Sequence, residues 1–251
     1  MEEHIEFAKK LGYSYIYINT NGWLATPERA KTLIDSGLDS IKFSMNAISR
    51  EDYKAIHGVD GFERVINNIR AAYEYRNKCG KKCNVYAAFV ETSKNKDHIA
   101  EAVKAMQGIV DEVMTFKVTN RGGQINEVES DLYTGTDALS FKYPCGFPFN
   151  TATITAEGYL VLCCQDFCNE TVIADLNNTS IVDAWNSEKF VKFRERHLAN
   201  DLEGTLCYNC LNNMHKPIVP MTEGVHMPKV DLNLEKELNE RIRQFNKSVS
   251  N

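Results

Sequence analysis

Six of the chain's eight cysteines fall between residues 145 and 210, and their spacing is that of metal ligation. Cys207-Tyr208-Asn209-Cys210 supplies two thiolates from one tight turn, as zinc and iron–sulfur sites both require. Twelve residues separate Cys145 from Gly158, and four more separate that glycine from Cys163. Cys163 and Cys164 end an expected strand, so they face opposite ways and do not share one metal. Cys163 is the expected ligand and Cys164 the packing residue. Cys145, Cys163, Cys207 and Cys210 then make one tetrathiolate set, with Cys168 as the alternate. Zinc and iron–sulfur both remain open on this chemistry. The competing reading, disulfides or reduced structural thiols, is disfavoured in a chain that opens Met1-Glu2-Glu3-His4 without a secretory leader.

These cysteines need a frame. Thr151 to Cys164 reads as a hairpin, with Gly158 suited to a positive φ at its turn and Tyr159–Leu162 as the return arm. Ser180 caps a helix with Asp183 placed well for its dipole. Ile181, Ala184 and Trp185, and later Phe190 and Phe193, form a face to pack beside the cysteines, with Trp185 as core. His215 is expected to be an exposed tail histidine, and residues 232–247 a charged helix.

The first half alternates strand and helix. Strands are expected at 14–19, 39–47, 84–90 and 113–118. Helices are expected at 2–11, from Pro27 behind a Thr26 cap to Gly37, at 51–56, through Phe62–Tyr73, and around Ile99, Val103 and Met106. A β-α-β-α-β-α-β order requires a parallel sheet, open or part of a barrel. Ligands gather at the C-terminal ends of such strands, here Asn19 to Gly22, Ser44 to Asn46, Val90 to Thr92 and Asn120-Arg121. Cys79 and Cys83 lie at the opposite ends and read as a surface loop pair.

Composition is that of a globular protein, with 43% apolar and 25% charged residues and net charge −5. Nothing in that balance calls for nucleic acid or an anionic membrane, and no apolar run approaches the roughly 20 residues of a membrane helix. Cytoplasm is the expected location.

Cys145…Gly158-x4-Cys163, then Ser180-Ile181-Val182-Asp183-Ala184-Trp185-Asn186-Ser187, then Cys207-x-x-Cys210 resembles the SPASM domain of radical S-adenosylmethionine (SAM) enzymes. The resemblance implies an auxiliary [4Fe–4S] cluster on these cysteines. Thr20-Asn21-Gly22, a helix, and Gly37 to Ser44 resemble the second half of the radical SAM barrel. That resemblance implies a partial (β/α) barrel, the equivalent of strands three to six, followed by a small cysteine-rich α+β domain. It also implies SAM contacts from Ser44, Asn46 and Asn21. The expected division is barrel 1–120, linker 121–144, SPASM domain 145–215 and C-terminal tail 216–251.

The sequence departs from the family in two respects. The Gly-Gly-Glu-like stretch that in the family follows strand two and holds the methionine amine is not found here. Radical SAM enzymes carry Cys-x3-Cys-x2-Cys after strand one, and no such motif stands here. The chain is therefore expected to be a C-terminal portion that does not cleave SAM alone. Its barrel would be completed by an N-terminal half or a separately encoded chain, and its partners would be an electron donor and a small-molecule or peptide substrate. What the whole family assembly does is generate a 5′-deoxyadenosyl radical that abstracts hydrogen from substrate. The alternatives are a non-catalytic iron–sulfur subunit and a structural zinc module on an α/β domain.

Overall fold

The structure, a computed structural model, describes residues 1–92, 95–124, 144–166, 168–212, 214–219 and 221. The chain divides into two compact units. The first comprises residues 1–118 and the second, among the described residues, 119–124 and those from 144 onward.

The first unit is a four-stranded parallel sheet in the order β1 (Tyr17–Thr20), β2 (Ser40–Ser44), β3 (Asn84–Glu91), β4 (Glu112–Lys117). Helices α1 (Glu2–Lys10), α2 (Pro27–Asp35), α3 (Arg50–His57), α4 (Phe62–Cys79) and α5 (Ile99–Met106) alternate with the strands. Local chemistry sets several of their ends. Thr26 accepts the N–H of Arg29 with Pro27 at the first helical position, and Ser49 accepts the N–H of Asp52. Gly58 and Gly80 close α3 and α4 in the left-handed conformation.

The expected two-faced β2 is observed. Ile41, Phe43 and Met45 are buried in the core while Lys42, Ser44 and Asn46 are half-buried on the other side. Against that apolar face pack Leu33, Ile34, Val65 and Ile69 from α2 and α4 and Val85 and Phe89 from β3. One helix differs from its expected face: α5 buries Ala102 and Met106, while Val103 is exposed. Cys79 is exposed but Cys83 is not a surface residue. It is fully buried in the core, and burial pushes its thiol up to about 11.

The second unit opens on α6 (Phe147–Asn150) and an antiparallel sheet of β5 (Thr153–Ile154), β6 (Tyr159–Val161) and β7 (Val172–Asp175). Gly158 takes φ +91 at the expected turn. The third strand has no counterpart in the sequence reading. Beyond it lie α7 (Ile181–Trp185), α8 (Glu188–Leu198) and α9 (Leu206–Asn212). The single helix expected after Ser180 is two, because Ser187 accepts the N–H of Phe190 and starts a second one. Thr119–Gln124, in part the start of the expected connector, hydrogen-bonds within this unit. The expected tail helix at 232–247 lies outside the described residues. No helix among the described residues is long and apolar enough to cross a membrane.

Candidate metal centre

Four thiols from three stretches of the second unit line one small cavity. They are Cys145 ahead of α6, Cys163 beyond β6, and Cys207 and Cys210 on α9. Phe147, Leu206, Leu211 and Gln165 complete the wall. Cys207 and Cys210 reach it together because residues three apart share a helix face, not because they sit in a loop knuckle. Thr205 starts that helix, its hydroxyl accepting the Tyr208 N–H at 3.2 Å.

Two further contacts hold the set. Arg194 of α8 donates from Nε to the Pro148 carbonyl at 2.7 Å and from Nη1 to the Trp185 carbonyl at 2.8 Å. Its guanidinium stacks 3.7 Å from the Phe190 ring centroid, so α6, which follows Cys145, is tied to the packed helices. Asn209, fully buried on α9, donates to the Lys216 carbonyl at 2.7 Å and accepts its N–H at 3.2 Å. That ladder ties residues 214–219 to the helix, and His215 is half-buried there instead of exposed.

Burial dominates the thiol chemistry. It pushes Cys163 up to about 12 and Cys210 up to about 11, and it raises Cys207 well above its ordinary value. Neighbouring thiols add to the effect: Cys163, Cys145 and Cys210 all raise Cys207. Such thiols stay protonated and inert until a cationic group stabilises their thiolates. Among the described residues, no three Cys, His, Asp or Glu side chains converge closely enough to hold a single ion. The four cysteines line one cavity, and a polynuclear group takes one thiolate per iron. The donor set thus fits an iron–sulfur cluster.

Neither neighbouring cysteine lines the cavity. Cys164, expected to pack, is exposed, because β6 ends at Val161 and strand alternation stops before it. Cys168 is also exposed, its backbone N–H donating to Gln124 Oε1 at 3.2 Å. Phe147, Gln165, Leu206 and Leu211 were not singled out in the sequence. They carry no spacing signal, although all four lie within two residues of a cavity cysteine.

In the first unit, Asn21, Ser44 and Asn46 lie at the C-terminal ends of β1 and β2. Asn46 holds φ +56, and its Oδ1 accepts the Val90 N–H at 2.9 Å, joining the ends of β2 and β3. Exposed Asn21 accepts the Trp23 N–H at 3.1 Å in a local turn. Ser44 is half-buried. The two asparagine side-chain oxygens therefore already have backbone partners.

Residues 1–114 match the radical SAM superfamily, and residues 145–211 match SPASM, an iron–sulfur cluster-binding domain. An uncharacterized protein of Methanocaldococcus jannaschii is 33% identical over 118 residues, 47% of this chain and 39% of that protein. A probable GTP 3′,8-cyclase of Saccharolobus islandicus is 36% identical over 107 residues, 43% of this chain and 33% of the cyclase. The match thus spans between a third and two fifths of these relatives' length. The solved structure of anSMEcpe with bound AdoMet superposes with a TM-score of 0.52 at 12% identity, over 91% of this chain and 70% of that one. It shares the fold. The two matched spans together cover most of the sequence, and the chain belongs to the radical SAM superfamily and carries a SPASM iron–sulfur domain.

Proposed function

We propose that this chain is the C-terminal portion of a SAM-dependent radical enzyme, with Cys145, Cys163, Cys207 and Cys210 holding one auxiliary [4Fe–4S] cluster. The observation that carries this reading is the shared cavity: thiols from three separate stretches line it with apolar walls and few competing donors. When bound, the cluster supplies one-electron chemistry or a Lewis-acidic iron for substrate. The protein's own part is to gather the four thiols at one cavity and release their protons as the cluster loads, with burial keeping Cys163, Cys207 and Cys210 protonated until then.

Asn21, Ser44 and Asn46 contribute part of the SAM site at the sheet's C-terminal edge. The open edge of β1 supports completion of that site by further strands. Among the described residues it pairs only with β2, and Tyr17 on it, with Tyr13 and Tyr15 just before it, is exposed. Those strands come from an N-terminal segment or a separate chain, because the sequence offers no Cys-x3-Cys-x2-Cys of its own.

Anaerobic purification with iron, sulfide and zinc analysis tests the reading. About four iron and four sulfide per chain are expected, with brown absorption that Cys207→Ala abolishes. One zinc and no colour would replace the cluster with a structural ion. The reconstituted chain alone is expected to yield no 5′-deoxyadenosine from SAM and reductant, and a measurable yield would sink the partial-site reading.

A further inference from the structure

The four-cysteine cavity has one polar wall residue, Gln165. Its Oε1 accepts from Thr119 Oγ1 at 3.2 Å and from Arg121 Nη1 at 3.2 Å. A guanidinium only donates, so the amide atom facing Arg121 is the oxygen, and chemistry alone settles which way the amide points. The Nε2 end makes no hydrogen bond among the described residues.

The clamp itself sits on a constrained turn. Arg121 holds φ +51, a region costly for a residue with a long side chain. Gly122 follows at φ +64, where a Cβ would meet Leu206 Cγ at 2.5 Å. Leu206 is another wall of the same cavity. A strained residue persists where its surroundings over-determine it, and such residues cluster at functional sites. Here the turn is pressed against the helix of Cys207 and Cys210, and its arginine aims the one amide that lines their cavity.

We infer that Gln165 tunes the iron–sulfur group of this cavity, donating from Nε2 toward a cluster sulfur while Thr119 and Arg121 hold the amide in place. The inference rests on the cluster reading above. A donor beside the sulfurs stabilises the more negative, reduced state and so raises the potential. The Arg121 cation acts in the same direction. Thr119 and Arg121 are positioning residues, because each acts through the amide.

A redox titration of the reconstituted chain, followed by visible absorption and electron paramagnetic resonance, tests this. Gln165→Leu is expected to keep the wild-type iron and sulfide count while its potential moves negative. Gln165→Glu, which exchanges the donor for a carboxylate, moves it further. Thr119→Val removes one of two anchors and gives a smaller shift of the same sign. A fully loaded Gln165→Leu at the wild-type potential overturns the inference. If Gln165→Leu loads no iron, Thr119→Val and Arg121→Met decide the matter: a negative shift in both supports it, and wild-type potentials overturn it. A wild-type chain that loads no iron at all removes the cluster reading, and this inference with it.

Discussion

In the first unit, 21 buried apolar residues from helices and sheet form one core, whereas the second unit's described core has eight, one of them Cys207. Cys83 is buried in the large core as ordinary packing, in the same way a small aliphatic residue would be. Cys207 instead joins the core to the wall of the cavity, with Leu160, Leu162, Phe190 and Phe193 in its apolar cluster. The first unit has the larger apolar core among the described residues. In the second, a group bound at the thiols would add its binding to the folding free energy.

The largest effect that tests this contrast is a pair of phenylalanine truncations. Phe43→Ala, at the fully buried centre of β2, is expected to cost about 3–5 kcal/mol whether or not iron is present. Phe190→Ala removes as much apolar surface from the second unit. Its cost is expected to be tolerated in the loaded protein and to abolish protection there once iron is chelated. Hydrogen exchange read separately over residues 1–118 and 144–212 distinguishes the two. Equal dependence of both variants on iron would break the contrast.

Legibility in the sequence follows the same division. The sheet unit was readable because its signals are local and redundant. Thr26-Pro27 marks a helix start, and alternation through Ile41, Phe43 and Met45 fixes a strand face. In the second unit the cysteine spacing picked out four thiols that line one cavity, since ligand spacing survives irregular backbone. Alternation failed at Cys164 because the strand ends at Val161, with a register irregularity between Leu160 and Val161. The third strand, Val172–Asp175, is four residues with a continuous apolar start, too short for periodicity to reveal. Gln165 was illegible for another reason. Its place depends on Thr119 and Arg121, more than forty residues earlier, and no local pattern encodes that meeting.

A middle-sized effect sharpens the comparison through pH. Asp39 is partly desolvated, which alone would raise its carboxyl. The Lys9 ammonium and the Ile16 N–H, both bonded to Oδ2, more than offset that and hold it below the usual range. A depressed carboxylate contributes stability fully above its unfolded value of about 3.9 and loses it as pH falls through the folded value. Asp39→Asn is expected to cost about 1–2 kcal/mol at neutral pH. It should also flatten the first unit's acid loss below about pH 4. Unchanged acid loss in that variant would place the titration elsewhere.

The smallest expected effect belongs to the second unit and begins at a higher pH. His197 is fully buried on α8, with Phe149 and Phe193 ring centroids 5.7 and 6.1 Å away. Burial lowers its pKa below the ordinary 6.5, only partly opposed by a backbone hydrogen bond. The unfolded chain therefore takes up a proton that the fold resists. Stability is complete above about pH 6.5 and falls as pH drops from there through the folded value. Loss of protection confined to the second unit between about pH 6.5 and 5 is the expected signature, absent from the first unit until Asp39 titrates. His197→Gln should remove that early step without altering the loss below about pH 4. If the step survives the substitution, protonation of the cluster's thiolates is its source, and the difference in acid response arises at the metal centre and not in the packing of α8.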